Sequence, residues 1–191
     1  MNRQPFIHFL FILGITLSGL SLFSSSSNAQ FGDSWEFLNA VRELDFKEMR
    51  SRLGSGANIN RLDKDGIPAM MIGADKRNVE LINFLLEMGA KVDVVTSPRK
   101  ETALMRLSST GGNELITILL KAGADINLGD ANGETPLMKA SRSRKTRTVK
   151  LLLENGADVN ISDYTGRTAL DIARDTRSGR LIRVLEAAGA N

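Results

Sequence analysis

From about residue 35 onward, apolar positions come in paired blocks that repeat along the chain. The longer blocks are Leu81 to Leu86, Leu115 to Leu120, Val149 to Leu153 and Leu181 to Leu185. Within them Leu81, Ile82, Phe84 and Leu85, and likewise Leu115, Ile116, Ile118 and Leu119, have the spacing of one helix face. A shorter block precedes each: Ala69-Met70-Met71, Ala103-Leu104-Met105, Pro136-Leu137-Met138 and Ala169-Leu170. Thr102, Thr135 and Thr168 stand directly before three of these, in the place of a helix N-cap, and Pro136 suits a first helical position. The pattern predicts short and longer helices in alternation.

The polar residues between the blocks repeat as well. Gly-Ala occurs at Gly56, Gly89, Gly123, Gly156 and Gly189, in steps of 33, 34, 33 and 33 residues. Glycine just past a Leu-rich block ends a helix in the left-handed region. An Asp-x-x-Gly turn follows at Asp63 to Gly66, Asp130 to Gly133 and Asp163 to Gly166. One unit therefore reads as turn, short helix, loop, longer helix, stop. A lone helix pair cannot bury its apolar face, so neighbours must stack into a solenoid. Such an array offers an extended surface rather than a deep pocket.

These units resemble the ankyrin repeat, whose pattern is a turn, Thr-Pro-Leu-His, two helices and Gly-Ala-Asp. The resemblance covers about Ser34 to Asn191. It implies an all-α repeat solenoid of five stacked helix-loop-helix repeats joined by β-hairpin fingers. The repeats fall at about 35–62, 63–96, 97–129, 130–162 and 163–191, with the one extra residue between Gly89 and Lys100. Polar residues at the ends, Ser51 and Arg52 in the first and Arg180, Arg183 and Glu186 in the last, predict a capped, complete array. The family histidine is replaced by Met71, Met105, Met138 and Asp171. The family glycine between the helices survives only as Gly111. Arg77, Arg144 and Arg177 take its place elsewhere, at a cost of up to about 1 kcal/mol each if positive φ is kept.

Residues 1–29 lie outside the array and have the layout of a signal peptide. Arg3 gives a weakly positive start, and Phe6 to Leu13 is apolar except for His8. Ser27-Asn28-Ala29 matches a small-x-small cleavage site before a break in helix, which makes Gln30 the expected first residue of a mature domain at 30–191. The other reading is an uncleaved membrane anchor, for which Gly14, Thr16, Ser18, Gly19 and Ser21 make a poor span. No cysteine follows the apolar run, so a lipid-anchored form is excluded, and no disulfide contributes to stability. The layout looks most like a bacterial periplasmic or secreted protein, with no stable membrane insertion after cleavage and with a monomer as the expected state.

Catalytic chemistry is poorly supplied. The single histidine is His8, in the leader, and cysteine is absent. That removes nucleophilic triads and the usual zinc sets. No phosphate loop has the required spacing. No catalytic residue, cofactor or metal site is expected. Met71, Met105 and Met138 share one repeat position. They read as a packed helix seam rather than a soft-metal ladder or oxidant trap.

The function expected is therefore non-enzymatic binding of a protein partner. By analogy with the family, the binding residues lie on fingertips and on the exposed inner helices: Lys64, Asp65, Arg99, Arg142, Tyr164 and Arg167. Charge marks a second surface. Residues 130–191 carry 11 basic and 8 acidic side chains, against 13 and 14 in residues 30–129. Arg144, Lys145, Arg147, Lys150, Arg177, Arg180 and Arg183 form a basic strip by repeat position. In the row of Arg147, earlier units carry Glu80 and Glu114. The strip suits an acidic partner or anionic envelope lipid. It also reads as a solvated face whose cations gain from a nearby helix C-terminus. The small net charge and the scarcity of aromatic residues argue against nucleic acid. An inhibitor or immunity protein against an envelope toxin, and a secreted effector acting on a host protein, are the rival roles.

Overall fold

A computed structural model describes residues 22–190, with side chains from residue 32 onward. The apolar run from Phe6 to Leu13, His8 and most of the leader fall outside the described residues. Ten helices are formed among the described residues: α1 (Leu22–Glu43), α2 (Phe46–Gly54), α3 (Ala69–Lys76), α4 (Val79–Glu87), α5 (Ala103–Thr110), α6 (Asn113–Lys121), α7 (Pro136–Arg142), α8 (Thr146–Glu154), α9 (Ala169–Asp175) and α10 (Gly179–Ala187). They come in consecutive antiparallel pairs. Odd-numbered helices pack on one another in one layer, and α4, α6, α8 and α10 in the other. The result is a helical repeat solenoid.

The helix boundaries follow the caps. Thr102, Thr135 and Thr168 accept from the backbone N–H of Met105, Met138 and Asp171 at 3.2, 3.4 and 3.3 Å. Asp171 accepts in return from Thr168 N–H at 2.9 Å, which completes a capping box. This explains an Asp where earlier units have Met. Met71, Met105 and Met138 are buried with the core leucines, as a packed seam requires. Leu81, Leu85, Ile116, Leu119, Leu152, Leu181 and Leu185 are fully buried between the two layers.

Each helix pair turns at one left-handed residue. Arg77, Arg144 and Arg177 have φ of 51°, 54° and 53°, in register with Gly111 at 86°. Leu44, at φ 60°, holds the same place in the first pair, where the sequence pattern gives no warning of it. The first pair is closed by Arg52, which is ion-paired with Asp33, Glu36 and Glu48. Helix α1 is much longer than the others and runs through Ser27-Asn28-Ala29 without the expected break. No proline or glycine interrupts it before Gly32.

The connections between pairs are turns rather than strands. Among the described residues β pairing is limited to isolated bridges, Leu62 with Pro68 and Ser162 with Thr168. The turn aspartate closes each finger. Directly inside the bridge of Leu62 with Pro68, Asp63 Oδ1 accepts from Asp65 N–H and Ile67 N–H, both at 2.8 Å. Asp130 and Asp163 do the same. In the third unit Thr96 substitutes for Asp, and its turn closes from Thr96 to Glu101 instead of over four residues, which locates the extra residue.

Candidate functional site

The finger turns are stitched together edge to edge. Ser97 N–H donates to Gly66 C=O, Ala131 N–H to Arg99 C=O, and Tyr164 N–H to Asn132 C=O, each at 2.9 Å. Tyr164 is 80 % exposed. Its ring lies against Gly133, where a β-carbon would meet Tyr164 Cδ1 at 2.8 Å. That glycine, at φ 78°, is therefore required both by its backbone and by its neighbour. Lys64, Asp65 and Arg99 are exposed on the same row of turns.

Two other candidates are partly committed to the fold. Arg142 pairs with Glu134. Arg167 pairs with Asp163 at 3.0 Å. Burial would push the Asp163 carboxyl up. Hydrogen bonds from the Thr165 hydroxyl, from the Thr165 and Arg167 N–H groups and from the Arg167 guanidinium outweigh it and hold the carboxyl well below the usual range.

The inner helices add charges that sequence reasoning missed. Lys139 Nζ lies 2.6 Å from Asp130 and 2.9 Å from Glu134. Burial lowers the lysine's pKa and the two carboxylates raise it, with a net rise. Asp130 shows the mirror effect, with burial overcome by Lys139 and two backbone N–H groups. Arg106 pairs with Glu101 at 3.0 Å and Asp75 at 3.4 Å. Between the third and fourth turns Glu101, Arg106, Asp130 and Lys139 line a cleft of about 560 Å³ with Arg99 and Asn132. The signal lay in the position after Met105 and Met138, where the flanking units carry Ile72 and Ile172 and these carry Arg and Lys.

The basic strip lies on the opposite edge, at the loops between paired helices. Arg147, Lys150, Arg177, Arg180 and Arg183 are exposed, and Lys145 is half-buried. None of the strip residues joins an ion pair among the described residues. Arg144 is not free, since its guanidinium donates to the Thr176 carbonyl. The dipole argument holds for Arg144 and Arg177, just past helix C-termini, but not for Arg147 and Arg180. Those two sit in the first turns of α8 and α10, where a cation is disfavoured. Among the described residues there is no cluster of side chains suited to a metal ion, and no helix is long and apolar enough to cross a membrane.

Comparison with known proteins agrees with this architecture. The family model described as "Ankyrin repeats (3 copies)" matches residues 37–130 and 104–191. A putative ankyrin repeat-containing protein of Treponema pallidum is 30% identical over 98 residues, 51% of this chain and 33% of that protein. The ankyrin repeat and SAM domain-containing protein 6 of Mus musculus is 33% identical over 76 residues, 40% of this chain and 9% of its own length. The palmitoyltransferase ZDHHC17 of Danio rerio is 26% identical over 110 residues, 58% of this chain and 18% of its own. The chain thus spans a third or less of the length of these relatives. With its helix pairs stacked in two layers and a family model matched over most of the sequence, the chain belongs to the ankyrin repeat family.

Proposed function

We propose that this chain is a five-unit ankyrin array, exported to the periplasm or beyond by cleavage of residues 1–29. It acts by binding a protein partner, without chemistry of its own. Ankyrin repeats generally mediate protein–protein interaction, and in this chain that role falls to the finger turns and inner-helix face. One observation carries it. Three main-chain hydrogen bonds tie successive turns into a continuous edge, so the contact surface is preformed and loses little entropy on binding. Tyr164 stands on that edge as the large exposed aromatic anchor, the residue type that most often dominates an interface.

The test is capture from envelope extract by the tagged mature protein. Tyr164→Ala combined with Lys64→Ala should release a captured partner while the melting curve stays that of the parent. Arg142 and Arg167 are unsuitable for this purpose because Glu134 and Asp163 depend on them. A captured partner retained at full strength by the double variant would exclude the finger edge as the binding face.

A further inference from the structure

The edge opposite the fingers carries an unusual charge pattern. In α2, α4 and α6 the first helical turn holds an acid: Glu48, Glu80 and Glu114. In α8 and α10 it holds none, and Arg147 and Arg180 occupy the second helical position. Lys145 is the N-cap of α8 and accepts no bond with its side chain, so the first N–H groups of that helix have no side-chain acceptor. The N-cap of α6 is Gly112, equally without one. Positive side chains and a positive helix end thus face each other without internal compensation.

Of these groups, Lys145, Arg147 and the first turn of α8 line a groove of about 500 Å³ between the loops of the third and fourth pairs. Gly111 forms one wall. It has no side chain, and the stem of Lys145 lies across it, with Cδ 3.5 Å from where a β-carbon would stand. Thr148 Oγ1 donates to Asn113 Oδ1 at 2.7 Å and ties the first turns of α6 and α8 together. Arg147 and Lys145 border the opening, and no carboxylate does. The neighbouring groove at Arg77 differs, being lined by Glu114 and the apolar Val79 and Leu115. Beyond Arg147, Lys150 follows three residues later on the same helix face, and Arg180 and Arg183 repeat that spacing on α10.

We propose that this groove seats an acidic segment of a protein partner, with carboxylates meeting Lys145 and Arg147 and the segment continuing over Lys150, Arg180 and Arg183. Charge complementarity selects the occupant. A lipid surface would also require apolar anchoring, but the large exposed apolar side chains among the described residues, Trp35, Met88 and Tyr164, are not on the strip. Arg144 also lines the groove, with one guanidinium nitrogen engaged by the Thr176 carbonyl and its other N–H groups left for the segment.

The probe is a short fluorescein-labelled peptide rich in Glu, followed by anisotropy with the signal-free chain. Binding should be lost as salt rises, because exposed charges are screened over about 10 Å at 0.1 M. Lys145→Glu with Arg147→Glu should weaken it about tenfold or more. These changes place acids at the N-cap and in the first turn of α8, where negative charge favours the helix, so the melting curve should not fall. Lys145→Ala with Arg147→Ala provides a second variant that does not depend on this argument. A matched control, Lys47→Glu with Lys91→Glu, should bind like the parent. Equal loss in the control, no loss in either groove variant, or tighter binding to phosphatidylglycerol vesicles than to the peptide would overturn the proposal. The probe is not the captured partner of the finger edge, so the two readings can fail separately.

Discussion

The guanidinium of Arg77 donates to the main-chain carbonyl of Thr110 at 2.6 Å, from the turn inside one helix pair to the end of the first helix in the next. Arg144 makes the equivalent bond to Thr176. Both arginines sit at the left-handed turn between paired helices, where glycine would be easier. The turn conformation aims the side chain along the stack, toward carbonyls that a helix C-terminus leaves without partners. Gly111 relieves the backbone cost but has no side chain with which to reach the following pair. Arginine and glycine at this position therefore distribute stability differently, between the link to the neighbour and the local turn.

Substitutions at Arg77 separate the two contributions. Arg77→Ala keeps the left-handed cost and loses the bond. Arg77→Gly loses the bond but removes the cost. The alanine variant should be the less stable of the two by about 1 kcal/mol, with the glycine variant near the parent. Urea melts of the three chains test this. Equal stability of the Ala and Gly variants would mean that residue 77 does not hold a positive φ in solution.

The period, the helix pairs, the threonine caps and the buried methionine seam were legible because each depends on short-range chemistry repeated in register. Asp171 in place of Met was visible as a departure, yet its meaning needed the reciprocal bond with Thr168. The finger edge and the basic strip were also placed by register. What register could not give was commitment. Whether Arg142, Arg144 or Arg167 points to solvent or to Glu134, Thr176 or Asp163 depends on rotamers and on neighbours one unit away. Among the described residues the fingers show isolated antiparallel bridges, at the turns closed by Asp63 and Asp163.

The core registers are tested by Leu119→Ala and Leu152→Ala. Both leucines are fully buried between α6 or α8 and the inner helices. Each change should cost about 2–5 kcal/mol, seen as a lower denaturation midpoint. By contrast, Met105→Leu preserves volume at a buried seam position and should cost less than about 1.5 kcal/mol.

Export makes a separate prediction. N-terminal sequencing of the chain recovered from an envelope fraction should begin at Gln30. Recovery of an intact residue 1–29 segment in the membrane fraction would favour the anchor, and would leave the long helix α1 as its continuation into the array.

The last finger should weaken in acid. Asp163 has its carboxyl held below the ordinary range, so its contribution is present above the unfolded pKa, about 3.9, and is lost as pH falls through the folded value. Asp163→Asn keeps an acceptor for the turn N–H groups but loses the charge opposite Arg167, which is itself substantially exposed. The variant should be less stable than the parent at neutral pH by on the order of 1 kcal/mol. That gap should narrow below about pH 4. A constant gap from neutral to acid pH would mean that ionisation of Asp163 is not coupled to folding.

Asp93 should behave in the opposite sense. It holds the position of Asn60 and Asn127, whose side chains accept from Lys91 N–H at 2.8 Å and Asp158 N–H at 2.9 Å. Asp93 Oδ2 accepts from Asp125 N–H at 2.9 Å in the same way, while Oδ1 is buried without a partner. Burial, with the nearby Asp125 charge, raises its pKa against the opposing backbone bond. A raised carboxyl favours folding below the unfolded value and loses that advantage as pH rises through the folded one. Asp93→Asn retains an acceptor for Asp125 N–H and removes the buried charge. It should therefore stabilise the chain at neutral pH by about 0.5–1 kcal/mol, in line with other single stabilising changes. The gain should fade as pH falls through about 4 and vanish below about pH 3, where the carboxyl is protonated in both states. Thermal melts across that range decide it: a destabilised variant at neutral pH would show that the charge of Asp93 is used by the fold, and that the likeness to the Asn positions is one of geometry alone.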